Sequence, residues 1–512
     1  MRQGHGTSLT LVLALTFALA AWGDARAQNP NIVVIMADDL EVGLVESMLA
    51  QDLLPNIKTH IIDKGSTFSN SFVSNSLCCP SRATFLTGLY SHNHGVLTNV
   101  WPFGGAPAFD DRSTIPRWLR AGGYITGHIG KYLNDYGNRD VNGDGGWTLD
   151  DARYIPPGWN WWVAMALSPQ RMYNYVMNEN GQLVLYGEEE SDYQTDVLAG
   201  AAEYFIQGVD AYRDAAPYFL YVGTSAPHVE VFPGDEFPTF ADAWSVTLRP
   251  PPRYIGTVQA VLPQPPSFNE EDVSDKPAWL QLRPRLTPED VVALTAQYRD
   301  RMEAMRGVDD LVGTIVQNLE ATGEIDNTVI IFTSDNGFAS GEHRLPQKLS
   351  SYEESIRVPL YVRAPGTPEG QTIERYVLNN DLAPTIAEIA GVAPWHTVDG
   401  TSFVPLLTDP TLPWRKRFLV EHWRGGFSNP FEIPTYFAVR TSPEAPTAPN
   451  QTYIKIPFGA LEVYDLNIDP YQLTSIHNVF TPERNNQRFI MGIWRMGLQG
   501  CKNGSCRAWE FD

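Results

Sequence analysis

SLCCPSRATFLTG, residues 76–88, sets two adjacent cysteines ahead of a proline, a serine and an arginine, in a chain of 512 residues with four cysteines. Pro80 belongs near a first helical turn, so the stretch predicts a helix with position 78 at its N-terminus. Partial positive charge gathers there and favours an anionic group. A disulfide between neighbouring cysteines is strained, and metal sites usually want spaced thiols. One cysteine of the pair is therefore expected to be there for its chemistry.

Outward from this helix, short apolar runs read as buried strands. They are NIVVIM from Asn31, YITGHI from Tyr124, YFLYV from Tyr218, TVIIFT from Thr328 and PLYV from Pro359. They alternate with helical patterns, which predicts an α/β fold with a large, mostly parallel sheet sandwiched by helices. Thr287 as N-cap, then Pro288, Glu289 and Asp290, predict a helix running to about Leu319 and ended by Gly323. After Pro413 the runs FLVEHW, YFAVRT, TYIKI and LEVYDL predict a smaller C-terminal antiparallel sheet with a terminal helix. The expected division is residues 28–410 and 411–512. A proline-rich excursion, Pro233 to Pro288, reads as a lid, a specificity loop or a passive wrap.

The chemistry-bearing groups cluster just past the strands. Asp38-Asp39, Lys131, His228 and Asp335-Asn336 each stand beyond an apolar run. In open α/β sheets ligands sit at the carboxyl ends of strands, so these groups are expected to converge on one pocket.

The beginning of the chain reads as a leader. Arg2, the apolar run Leu9 to Ala21 and the small residues around Ala25 and Ala27 predict a signal peptide of residues 1–27. No later run reaches spanning length, so no stable membrane insertion is expected. The protein is expected to be exported: periplasmic or secreted in a bacterium, lysosomal or extracellular in a eukaryote, where Asn450 and Asn503 would head glycosylation sequons. In such a compartment Cys501 and Cys506 of CKNGSC predict a small disulfide loop. The net charge of −22 argues against nucleic acid as a partner.

C-x-P-S-R followed by LTG, here Cys78-Cys79-Pro80-Ser81-Arg82 and Leu86-Thr87-Gly88, resembles the signature of the sulfatase family. Supporting stretches occur in the family's order: Asp38-Asp39, GKYLN with Lys131, APH with His228, SDNG with Asp335 and Asn336, and Lys348 before YEESIRVPL. NNDLAPTIAEIAG, DGTSFVPLL and VYDLNIDPYQL resemble its scaffold and C-terminal pieces. CCPSR, HNH and GKYLN together are similar to the N-acetylglucosamine-6-sulfatase and heparan endosulfatase branch. One departure is Leu133, where many relatives place a histidine; Asn134 is the nearby polar group.

The resemblance implies an alkaline-phosphatase-like fold and a sulfuric ester hydrolase. It implies that Cys78 is converted to formylglycine by a separate formylglycine-generating enzyme, with Arg82, Lys131, His228 and Lys348 around it. It also implies metal ligands Asp38, Asp39, Asp335 and Asn336 with the residue at position 78. A hard-oxygen cluster of this kind suits Ca2+, or Mg2+ in a tight cage, and disfavours zinc. A hydrated aldehyde offers two hydroxyls on one carbon. One attacks sulfur to give a covalent sulfo-enzyme, and the other then expels sulfate. His228 or Lys348 is the candidate proton donor to the departing alcohol. The implied substrate is a small sulfated saccharide, such as 6-O-sulfated N-acetylglucosamine, or an aryl sulfate ester. Two alternatives stand beside this: a phosphonate monoester or phosphodiester hydrolase using the same residue, and a sulfated-glycan-binding protein with a dead site.

Two further patterns carry expectations. Asp140, Asn142, Asp144 and Asp151 have the spacing of a calcium loop, or form a glycine-rich acidic turn. NVWPF, Asn99 to Phe103, is assigned to aromatic packing, with a border to the pocket as its other reading.

Overall fold

The computed structural model describes residues 29–138, 146–167, 170–213, 216–230, 246–425 and 433–512. The expected leader, residues 1–27, and Asp140, Asn142 and Asp144 lie outside them, as does part of the proline-rich excursion. Among the described residues, ten strands form one sheet. In spatial order they are Gln371–Ile373, Ser66–Phe68, Leu360–Arg363, Thr328–Ser334, Asn31–Ala37, Tyr218–Gly223, Ile125–Gly130, Trp161–Ala166, Tyr175–Glu179 and Gln182–Tyr186.

The middle of the sheet is parallel from Thr328–Ser334 across to Trp161–Ala166. These strands are buried on both faces, which is why they read as unbroken apolar runs. In Asn31–Ala37 the side chains alternate between the two layers. Val33 and Ile35 join the core beneath Pro288–Ala321, while Ile32, Val34 and Met36 join the core that holds Phe85, Trp118 and Ile386. Each such fully buried side chain contributes roughly 1.5–3 kcal/mol. The run read as PLYV forms Leu360–Arg363, and it is antiparallel to Thr328–Ser334, as are the two outer strands at the far edge to their neighbours. The sheet is thus parallel at its centre and mixed at its margins.

The helix Pro288–Ala321 starts as its sequence requires. Thr287 accepts the Asp290 N–H at 3.2 Å, and the Asp290 carboxylate accepts the Thr287 N–H at 2.8 Å. This reciprocal cap satisfies two backbone donors that a helix start otherwise leaves open.

The C-terminal strands Arg417–His422, Tyr436–Thr441, Gln451–Lys455 and Leu461–Asp465 form an antiparallel sheet, followed by helices Pro482–Gln499 and Ser505–Phe511. Its apolar face shares a core with Phe72, Tyr90, Tyr352 and Ile356, so it is packed against the chain on either side of the helix Cys78–Thr87. Cys501, just past the first of these helices, and Cys506, in the second, are joined in a disulfide. Asp151, the described member of the candidate calcium loop, accepts the Thr148 N–H at 2.6 Å at the start of a short helical turn. Among the described residues, no helix is long and apolar enough to cross a membrane.

Candidate active site

Four strand ends and one helix start meet at the carboxyl edge of the sheet. Asp38 and Asp39 follow Asn31–Ala37, Lys131 follows Ile125–Gly130, and Asp335 and Asn336 follow Thr328–Ser334. His228 lies five residues beyond Tyr218–Gly223. The helix Cys78–Thr87 is buried along its whole length and opens with Cys78 itself. Its cap residue, Leu77, contributes no side-chain oxygen. The Cys79 N–H is taken instead by Asn99 Oδ1 at 2.9 Å.

These groups lie within reach of one another. Cys78 Sγ is 2.7 Å from Lys348 Nζ, 3.5 Å from Asp38 Oδ1 and 4.0 Å from Asp39 Oδ1. Lys131 donates to Asp38 Oδ2, and Lys348 donates to Asp39 Oδ1. Asp39 Oδ1 also accepts Asn336 Nδ2 at 2.7 Å, and Asp335 Oδ1 accepts the Asp39 N–H at 3.2 Å. Arg82 Nε donates to Asp335 Oδ2 at 2.7 Å, while its Nη1 donates to the Lys131 carbonyl and to Tyr221 Oη. Asp38, Asp39 and Asp335 thus stand against Arg82, Lys131 and Lys348, a buried set of three carboxylates and three cations. The Asp39 backbone is left-handed at φ 62°, a conformation Asp tolerates better than bulky residues do.

Burial works against ionisation of Asp38, but Lys131, His228 and Arg82 outweigh it and pull the carboxyl down to about 2. Its folded value lies below the ordinary 3.8, so its stabilising contribution is present above about 3.8 and is lost as pH falls through about 2. Asp39 is lowered likewise: burial is outweighed by Lys348 and His228. Both lysines are raised, because the carboxylates overcome the cost of burying an ammonium. The Cys78 thiol is pushed up to about 12 by burial, which Lys131 and Lys348 only partly oppose. His228 is lowered by burial against the pull of Asp39. Its Nδ1–H donates to the Val229 carbonyl at 2.6 Å, so in the neutral ring Nε2, 3.5 Å from Asp39 Oδ2, carries the lone pair.

The donor set fits a hard cation. Ligand atoms of Asp38, Asp39, Cys78 and His228 lie within 4.8 Å of one another. Asp39 Oδ2 and Asn336 Oδ1 are buried oxygens with no hydrogen-bond partner among the described residues, which a bound cation would satisfy. A second grouping, His92 with Cys501 and Cys506, offers no thiolate because its two sulfurs are joined.

Among positions the sequence did not single out, Tyr221 and Gly223 stand out. Tyr221 lies inside an apolar strand, where its hydroxyl gave no separate signal. A Cβ on Gly223 would fall 2.4 Å from the Lys131 carbonyl oxygen and 2.9 Å from Arg82 Nη1. Gly223→Ala is therefore expected to displace the Lys131 backbone or the Arg82 guanidinium and lower kcat on a sulfate ester by about 100-fold. Wild-type turnover in that variant would show that the contact is not needed. Leu133 is buried in the core beside the sheet, and Asn134 Oδ1 is buried without a partner among the described residues. The aromatic-packing assignment of NVWPF is corrected: Trp101 and Phe103 are 51% and 61% exposed. The loop has turned outward because Asn99 and the Trp101 N–H are engaged by Cys79 and Asp135.

A family model described as Sulfatase matches residues 30–392. The chain belongs to the sulfatase family. It is a sulfuric ester hydrolase. A second model, described as N-sulphoglucosamine sulphohydrolase, C-terminal, matches residues 341–489. The chain is 34% identical to the N-acetylglucosamine-6-sulfatase of Homo sapiens, over 97% of this chain and 89% of that one. Solved structures of similar fold include one described as a complex with its substrate D-glucosamine-2-N,6-O-disulfate. It has TM-score 0.72 and 23% identity, and the match covers 92% of this sulfatase and 98% of that chain. A phosphonate monoester hydrolase from Silicibacter pomeroyi has TM-score 0.70 and 19% identity, covering 92% and 96%. At these identities the structural likenesses speak to the fold alone.

Proposed function

We propose that this sulfatase removes sulfate from a small sulfated sugar, with 6-O-sulfated N-acetylglucosamine as the leading substrate. The observation that carries the reading is the convergence of Cys78, at a helix start, with three carboxylates, a carboxamide and three buried cations. The identity to N-acetylglucosamine-6-sulfatase over nearly the whole chain supports the choice of sugar. The overall charge of −22 favours a short saccharide over an extended polyanion. Residues 28–410 are assigned to catalysis and 411–512 to a C-terminal unit. Export behind the leader at residues 1–27 is part of the same reading.

Held near 12 and buried, a plain thiol at position 78 stays protonated at neutral pH and is a poor nucleophile. This supports conversion of Cys78 to formylglycine during maturation by a separate enzyme. The hydrated aldehyde supplies one hydroxyl to attack sulfur and another to expel sulfate. Asp38, Asp39, Asp335 and Asn336 would hold Ca2+, which supplies positive charge for the nucleophile and the sulfate oxygens. Arg82 carries a buried Nη2 without a partner among the described residues, a donor that an oxygen ligand would satisfy. Lys131, ion-paired with Asp38, adds positive charge that balances sulfate and the charge developing on it. Lys348 is an ammonium touching position 78 and is assigned as the proton donor to the departing alcohol. His228, with Nδ1–H committed to Val229, is assigned to holding the substrate oxygen or receiving a proton at Nε2.

The test pairs mass spectrometry of the peptide around position 78 with a substrate panel. Loss of the Cys78 sulfur, together with faster release from 6-O-sulfated N-acetylglucosamine than from an aryl phosphonate, is expected. Preference for the phosphonate ester would replace the sulfated-sugar reading, and an unconverted thiol in active material would remove the formylglycine step.

A further inference from the structure

We infer that Tyr436, on the C-terminal sheet, is a positioning residue for Lys348, so that the C-terminal unit completes the active site. This inference rests on the reading that Lys348 acts at position 78. Lys348 lies on a turn between the short strand Pro346–Gln347 and the helix Glu353–Ile356. The residues on either side of it are left-handed, Gln347 at φ 66° and Leu349 at φ 82°. For a bulky residue such as leucine this is an outlier, and it persists only where the surroundings impose it.

Contacts from two directions impose it here. The Leu349 N–H donates to the Ser76 carbonyl at 3.3 Å, and the Leu349 carbonyl accepts the Tyr436 hydroxyl at 2.9 Å. Ser76 Oγ donates to the Ser350 carbonyl at 2.9 Å. The residues just after Lys348 are therefore fastened both to the segment that leads into Cys78 and to the C-terminal sheet. The Ser76 and Ser351 hydroxyls also lie against the Tyr436 phenol. Both fastenings act within one or two residues of Lys348, whose Nζ reaches Asp39 and Cys78 Sγ.

The phenol itself is rigidly held. Tyr436 is buried and pairs with His422 across the antiparallel ladder, and the two rings stack with centroids 5.5 Å apart at 29°. His422 Nε2–H donates to the Ile433 carbonyl at 3.2 Å, which fixes the ring beneath the tyrosine. Removing one phenolic oxygen frees the Leu349 carbonyl and lets the left-handed turn relax. The ammonium of Lys348 then leaves its place 2.7 Å from position 78. A misplacement of about 1 Å at a reacting centre costs about 100-fold in rate.

The experiment is a double-mutant cycle with Tyr436→Phe and Lys348→Ala, read as kcat and KM on a 6-O-sulfated amino sugar, with thermal melts of each variant. Tyr436→Phe is expected to lower kcat about 10- to 100-fold with KM within about twofold and little change in melting. In the Lys348→Ala background it is expected to cost nothing further. Undiminished kcat in Tyr436→Phe overturns the inference, and so does a loss that adds in full to that of Lys348→Ala. If Lys348→Ala alone keeps wild-type kcat, the assignment of Lys348 fails first, and the positioning role falls with it. The two failures are thereby told apart.

Discussion

Cys78→Ala is expected to reduce sulfate release by about 100,000-fold or more, the scale seen when other enzymes lose their nucleophile. The cause is chemical, since alanine can neither be converted to an aldehyde nor attack sulfur. The fold around it should survive, because Asp38, Asp39 and Asp335 keep Lys131, Lys348 and Arg82 as partners without the sulfur. The neighbouring Cys79→Ala is the control. Cys79 is buried in the apolar core with Phe85 and Val34, and its thiol, pushed up to about 12 by burial, lies against the backbone of Asn134 and Gly105. Its loss is expected to cost stability through a small cavity, about 1 kcal/mol, with turnover within about threefold. Sulfate release by ion chromatography, read beside thermal melts, checks both. Turnover surviving in Cys78→Ala would exclude the residue as nucleophile, and equal losses in both variants would show only that the helix start had been disturbed.

The second large effect concerns Arg415, which is fully buried and ties the last helix to the catalytic part of the chain. Its guanidinium makes a two-pronged contact with Asp381, at 2.6 and 2.7 Å, and donates Nε to Glu510 at 2.8 Å. Glu510 in turn accepts the Tyr90 hydroxyl, and Asp381 accepts the N–H groups of Leu378 and Thr401. Arg415→Met leaves two buried carboxylates without a cation, a change of the kind that costs about 3–5 kcal/mol. The pH dependence gives a finer check. Burial lifts Glu510 to about 7 from its ordinary 4.5, against the pull of Arg415. A raised folded value means that its contribution is full below about 4.5 and is lost as pH rises through about 7. Without Arg415 the carboxyl is held higher still, so the deficit of the variant is expected to be larger at pH 8 than at pH 5. Unfolding of both proteins at the two pH values measures this, and a deficit independent of pH would show that Glu510 does not depend on the arginine.

Much of the fold was legible because its cause is local. NIVVIM and TVIIFT are unbroken apolar runs, and only a strand buried on both faces needs that. Thr287 and Asp290 cap each other three residues apart, so the helix start needed no distant contact. The close pairing of Cys501 with Cys506 and the placing of Cys78 at a helix start were likewise matters of short spacing. The groups standing just beyond the strands could also be named, since a parallel sheet gathers its carboxyl ends on one edge whatever the loops do.

Tertiary closure decided the rest. The run at Leu360–Arg363 has the same apolar content in either direction, so only its neighbours fix it as antiparallel. Trp101 and Phe103 carry the composition of core residues, yet Asn99, which accepts the Cys79 N–H, and the Trp101 N–H, which donates to Asp135, turn their loop outward. Tyr221 and Tyr436 lie in apolar strands far from the signature stretch, and nothing local marks one hydroxyl for Arg82 or the other for the turn beside Lys348. The sequence by itself determined which charged and polar groups stand at the carboxyl edge of the sheet and on which elements, because period, capping and spacing act over a few residues. Which cation faces which carboxylate, and which distant strand holds Lys348 in place, was decided only when buried charges had to find partners across the closed molecule.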